Sequence, residues 1–189
     1  LVGFSLATSS FVVGIAWSEE ATGPTSAPAA PAPAVPPAAP PPLYSKYAQY
    51  GAAINPLLVV SPGAVCSPAA YCILGSGGGL LIRGGYRSEG PWYVGGGYAF
   101  AKLDSSNLLR LGVFQQAWAE MRYHFDLGYR ATPYLTWGLG AVVYGNEWQV
   151  ETGGATLLGG AGVELEVTRL AVVGIGLTYK PTLLIGWTD

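Results

Sequence analysis

The chain has 189 residues and a formal net charge of −2, with 50% hydrophobic but only 11% charged residues. A soluble domain usually carries about 25% charged residues, and so small a net charge gives no argument for nucleic acid or a strongly charged ligand. The 28 Gly, 12 Tyr and 6 Trp exclude an ordinary helical bundle and suit strands that face lipid on one side and a crowded interior on the other.

Residues 1–18, LVGFSLATSSFVVGIAWS, form an apolar run ending in small residues. Ala16 and Ser18 stand at the −3 and −1 positions of a signal-peptidase site, with Glu19 and Glu20 opening the mature chain. The segment is read as a signal-peptide h-region whose start lies upstream of residue 1. A membrane-anchor helix is the competing reading, and Ser5, Ser9, Ser10 and the short length disfavour it.

Residues 19–43 contain APAAPAPAVPPAAPPP. Proline fixes φ and removes a donor, so this stretch is expected to stay outside any sheet as an extended linker. It could reach toward the cell wall, or serve only as a solubilising tail.

From Tyr44 to Asp189 the apolar period becomes two. Seven strands are predicted, over 46–60, 76–87, 92–103, 109–125, 133–145, 155–168 and 170–181. Trp92, Val94, Tyr98 and Phe100 share one face, with Tyr93, Gly95, Gly97, Ala99 and Ala101 opposite. In the next strand Phe114, Gln116, Trp118, Glu120, Arg122 and His124 oppose Val113, Ala117, Ala119, Met121 and Tyr123. One face is apolar; the other collects glycines, hydroxyls and a few charges. A water-facing surface would hold many more Lys and Glu, so the apolar face is assigned to lipid. Small residues such as Gly95, Gly97 and Ala99 make room in a narrow lumen for Trp118 or Arg122.

Connections alternate between short turns and longer loops, the topology of outer-membrane barrels with short turns in the periplasm. That rule puts the linker in the periplasm and the loop holding Cys66 and Cys72 outside. Bacterial barrels have even strand numbers. An eighth strand is therefore expected beyond Asp189, or else 182–189 is itself a short final strand. The expected fold is an all-β, antiparallel, up-and-down transmembrane β-barrel.

A signal segment, a linker and short alternating strands rich in Gly and aromatics together resemble the OmpA/OmpX-type family of small outer-membrane barrels, over residues 44–189. The resemblance implies a Gram-negative outer membrane, the lipid bilayer as partner and insertion by the barrel-assembly machinery. Two departures matter: no terminal strand ends in an aromatic residue, and no peptidoglycan-binding domain follows.

Arg83, Glu120, Arg122, Glu164 and Glu166 fall on the predicted inner face. They read as neutralising ion pairs that fill the lumen, in preference to a polar gate, because eight strands leave room for little but side chains. His124 has no recognisable nucleophile partner, and no catalytic residue is assigned. GSGGG at 75–79 lacks the ending of a phosphate loop. Two cysteines and one distant histidine are too few for a zinc site, so no metal or cofactor is expected. Cys66 and Cys72 read as a disulfide pinning the first outer loop, with a free reactive pair as the alternative. Trp92, Tyr129, Tyr134, Trp148 and Trp187 are candidates for interfacial girdles. The functional expectation is a structural, adhesive or surface-presenting barrel, not an enzyme. The alternatives are a narrow porin-like pore for small or apolar solutes and a soluble lipocalin-like barrel with its apolar faces inward around a ligand.

Overall fold

Alternating sequences of this kind can bury every backbone donor and acceptor only by pairing both edges of every strand, and a closed barrel does this. The computed structural model describes residues 2–17 (backbone path and pairing), 46–61, 72–106, 109, 111–147, 149–168 and 171–185. Eight antiparallel strands follow one another around a closed barrel. They are β1 (Val2–Trp17), β2 (Tyr47–Ser61), β3 (Gly77–Arg87), β4 (Trp92–Leu103), β5 (Gly112–His124), β6 (Ala131–Asn146), β7 (Thr152–Glu166) and β8 (Ala171–Ile185).

The seven strands expected from periodicity appear as β2–β8, each with ends close to the predicted ones. The eighth is not where the sequence placed it. Closure comes from the chain's first segment, the one read as a signal-peptide core. β1 pairs with β8 from Val2↔Leu184 to Ile15↔Ala171. It pairs with β2 from Trp17↔Ala48 to Ser5↔Ser61, with a register shift between Ser5 and Leu6. The barrel is thus complete within residues 2–185, and no strand beyond Asp189 is needed to close it. Residues Thr182–Ile185 lengthen β8 and are not a separate strand. The reason for the misreading is physical. An apolar run with Ser, Thr, Val and Ile suits an exported leader and a membrane-facing strand alike. What distinguishes them is the presence of two open edges, on β2 and β8, waiting to be paired.

The Pro/Ala-rich stretch therefore joins β1 to β2. Its own residues, 19–43, lie outside the described ones. It leaves and returns at the same rim as the three short connections 88–91, 125–130 and 167–170. The opposite rim carries the longer connection 62–76, with 104–111 and 147–151.

The faces fall as alternation predicts. Ile54, Leu58, Leu80, Ile82, Val94, Leu135, Leu139, Leu157, Ile175, Leu177 and Leu183 are exposed around the outer wall. Gln116, Glu120, Arg122, His124, Thr136, Thr156, Glu164, Lys180 and Thr182 are buried inside. Narrowness is managed by pairing small residues against large ones. Gly97 lies opposite Trp118, and a Cβ there would stand 2.5 Å from the indole Cζ2. Gly95 lies opposite Glu120 and Tyr93 opposite Arg122.

Candidate functional site: the lumen and its mouth

The lumen has two layers of different chemistry. Toward the rim with short turns, β3, β5 and β7 each send charged residues inward. β5 supplies Glu120, Arg122 and His124 at every second position, and β7 supplies Glu164. Arg122 Nη1 donates to Glu164 Oε1 at 3.0 Å, and Nη2 donates to Glu120 Oε1. Trp118 Nε1 donates to the other Glu120 oxygen at 3.0 Å. The Arg122 guanidinium also lies over two rings, with Tyr93 at 5.1 Å and Tyr134 at 4.9 Å from their centroids. His124 Nε2 stands 3.2 Å from Glu164 Oε2, and its Nδ1 stands 3.3 Å from the Pro91 carbonyl oxygen. Arg87 comes within 3.7 Å of Glu164 and donates to Tyr47 Oη at 3.3 Å.

The expected cluster is therefore assembled in part. Glu120, Arg122 and Glu164 meet as predicted. Arg83 faces the same interior but is not within ion-pair distance of a carboxylate among the described residues; it lines a small cavity beside Glu120 and Arg122. Glu166 is corrected: it is exposed at the end of β7, on the rim. Three members were missed. Arg87 continues the alternation of Arg83 and Gly85. Lys180 continues that of Gly176 and Thr178, and it lies 4.5 Å above the Trp118 ring while donating to Gln116 Oε1 at 2.9 Å. His124 shares the inner face with Glu120 and Arg122 in the sequence pattern, but the expected ion-pair set does not include it.

Toward the other rim the lumen turns apolar. Leu57, Ala101, Leu103, Phe114, Val142, Tyr144 and Leu184 pack with Leu74 from the connection after β2. Tyr144 Oη donates to the Ile73 carbonyl at 2.7 Å and ties that connection into the plug. Among the described residues no cysteine is a free thiol; Cys66, half of the expected pair, lies outside the described residues.

Above the charged layer a vestibule of about 450 Å³ opens between the short turns. Arg87, Tyr123, His124, Tyr129, Arg130 and Glu166 share its lining. The two His124 ring nitrogens are engaged by a backbone carbonyl and a carboxylate.

The aromatic assignments need correction too. Trp92 is exposed at the start of β4 and stacks edge-on to Tyr123 at 5.1 Å and Trp137 at 5.8 Å. Tyr123 in turn meets Phe125 at 5.0 Å. This outer band near the short turns contains three residues the sequence did not single out. Tyr129 is exposed in a turn. Tyr134 is buried and faces the lumen, because it alternates with Leu135 and Trp137 on the other face. Trp148 and Trp187 lie outside the described residues. No protein-family model, no curated protein and no solved structure matches this chain.

Proposed function

We propose that the protein is an integral β-barrel of the bacterial outer membrane that acts as a structural, adhesive or surface-presenting element with a side-chain-filled lumen. One observation carries the reading: the wall is apolar outside and charged inside. From Ile175 to Ile185, outward residues of β8 are exposed and apolar apart from Pro181 and the hydroxyl of Tyr179. At about 3.4 Å per residue and a tilt near 40°, that span is about 26 Å high, close to the apolar band of about 25 Å in such barrels. A water-soluble barrel of lipocalin type would place its apolar face inward, the reverse of this arrangement.

The filled lumen favours a plugged barrel over a pore. The ion-pair layer and the apolar plug each block the axis, and breaking a buried pair costs about 3–5 kcal/mol. By the short-turn rule the vestibule and the connection 18–46 face the periplasm, and the cysteine-bearing connection faces outward, where a Cys66–Cys72 disulfide would pin it. Membrane insertion would use the barrel-assembly machinery.

The test is the full chain folded into detergent and run on a gel with and without boiling. A heat-dependent shift with a β-type circular dichroism spectrum, followed by incorporation into vesicles that resists alkaline extraction, is expected. A water-soluble protein with no shift overturns the membrane reading. Steady conductance in planar bilayers overturns the plugged lumen alone.

A further inference from the structure

The interior of the barrel holds more positive than negative charge. Among the described residues three cations below the vestibule, Arg83, Arg122 and Lys180, face inward against two buried carboxylates, Glu120 and Glu164, an excess of one. β1 offers no compensation, since VGFSLATSSFVVGIAW contains no charged residue. Glu166 is on the rim. Uncompensated charge in a dry interior is costly, so something should balance it.

The imbalance is local. Glu164 is engaged by Arg122, Arg87 and His124. Glu120 accepts from Arg122 and from Trp118. No carboxylate is paired with Arg83 or Lys180 among the described residues. These two cations line one cavity of about 30 Å³, together with Arg122, Tyr134, Thr136 and Thr178; Glu120 also reaches its wall. Two buried donors of the same layer lack an acceptor, Arg122 Nε and Gln116 Nε2. The missing chemistry is an acceptor with negative charge.

We propose that this cavity binds a compact monovalent inorganic anion of halide size. Its volume holds about two water molecules, or one halide in their place. Three cations outnumber the single carboxylate on its wall, and Tyr134 also lines it. The inference rests on the interior charge and not on the membrane reading, so it stands for a barrel in either solvent.

The experiment is equilibrium urea unfolding of the full chain in detergent, in sodium bromide and in sodium gluconate at equal ionic strength. Both salts screen alike, but only bromide fits the cavity. A ligand that binds only the folded state raises its stability with concentration. The midpoint should rise with bromide, and the difference between salts should vanish in Arg83→Gln. In gluconate that variant should be no less stable than the parent, because an uncompensated cation has gone. Lys180→Met reads the same quantity if Arg83→Gln does not fold. Crystals grown in bromide should show an anomalous peak between Arg83 and Lys180. Equal midpoints in the two salts, a bromide effect undiminished in the variants, or a water without anomalous signal in the cavity would each overturn the proposal.

Discussion

Replacing Glu164 by Ala tests whether the charged layer holds the barrel together. Its carboxylate accepts from Arg122 at 3.0 Å, stands 3.2 Å from His124 Nε2 and lies 3.7 Å from Arg87. The Glu164 and Arg122 side chains are 3% and 4% exposed, so solvent screens the pair very little. Removing one partner of such a buried pair costs about 3–5 kcal/mol, because the other charge stays behind unpaired. With a slope of about 1–3 kcal/mol per molar urea, the unfolding midpoint should fall by at least about 1 M. Glu166→Ala, on the exposed rim, should stay within about 0.5 kcal/mol of the parent. The double variant Glu164→Ala/Arg122→Met should lose less than the two single losses together, because the Arg122 guanidinium and the Glu164 carboxylate go together and neither is left behind by the loss of the other. The assay is tryptophan fluorescence across a urea series in detergent, with folding and unfolding limbs superimposed. If Glu164→Ala and Glu166→Ala have the same midpoint, the layer is not a structural lock.

Four further outcomes follow from the same geometry. Leu139, exposed near the middle of β6, should cost about 2–4 kcal/mol as Leu139→Arg in vesicles if it faces the bilayer midplane; no change there would put the outer wall in water. Gly97→Leu should abolish the heat-shifted folded band, because its Cβ meets the Trp118 ring at 2.5 Å; a normal band would mean that Trp118 does not fill the site. Tyr144→Phe leaves the Ile73 carbonyl without its donor and should cost about 1–3 kcal/mol by urea unfolding, whereas an unchanged midpoint would detach that connection from the plug. Intact mass measured without reductant should be two hydrogens lighter than after reduction if Cys66 and Cys72 are joined, as proposed; equal masses would favour the free pair.

Much of the wall was legible in the sequence because alternation is a local property. Each of β2–β8 carries its own two faces, and Gly97 against Trp118 could be read once neighbouring strands were set antiparallel. The inner cluster was legible only in outline. Period two places Glu120, Arg122 and Glu164 inside but says nothing about height along the axis. Height depends on register between strands far apart in sequence, and it separates Glu164 from Glu166 by one full residue pair at the rim. Lys180 and Arg87 lay on inward positions but near strand ends, where a small error in the boundary hides a charge. Tyr134 failed for the opposite reason: proximity to a strand end suggested a girdle, although its own parity pointed inward.

The first strand shows where local reading stops. Val2–Trp17 has the composition of a leader, and no property of those residues alone distinguishes a strand. The distinction lies in β2 and β8, whose outer edges would otherwise leave unpaired N–H and C=O groups along most of their length. In a bilayer each such group costs several kcal/mol, so an apolar segment able to pair with both is drawn into the gap. Closure by β1 also changes what the Pro/Ala-rich stretch is. It becomes the longest connection on the vestibule rim, 29 residues where adjacent antiparallel strands need only two to five. A connection so far beyond what strand pairing requires is a cost the fold does not ask for. Deleting residues 24–42 should therefore leave the urea midpoint and the heat-shifted band intact, while any loss of binding to the cell wall or another periplasmic partner would assign a function to that rim.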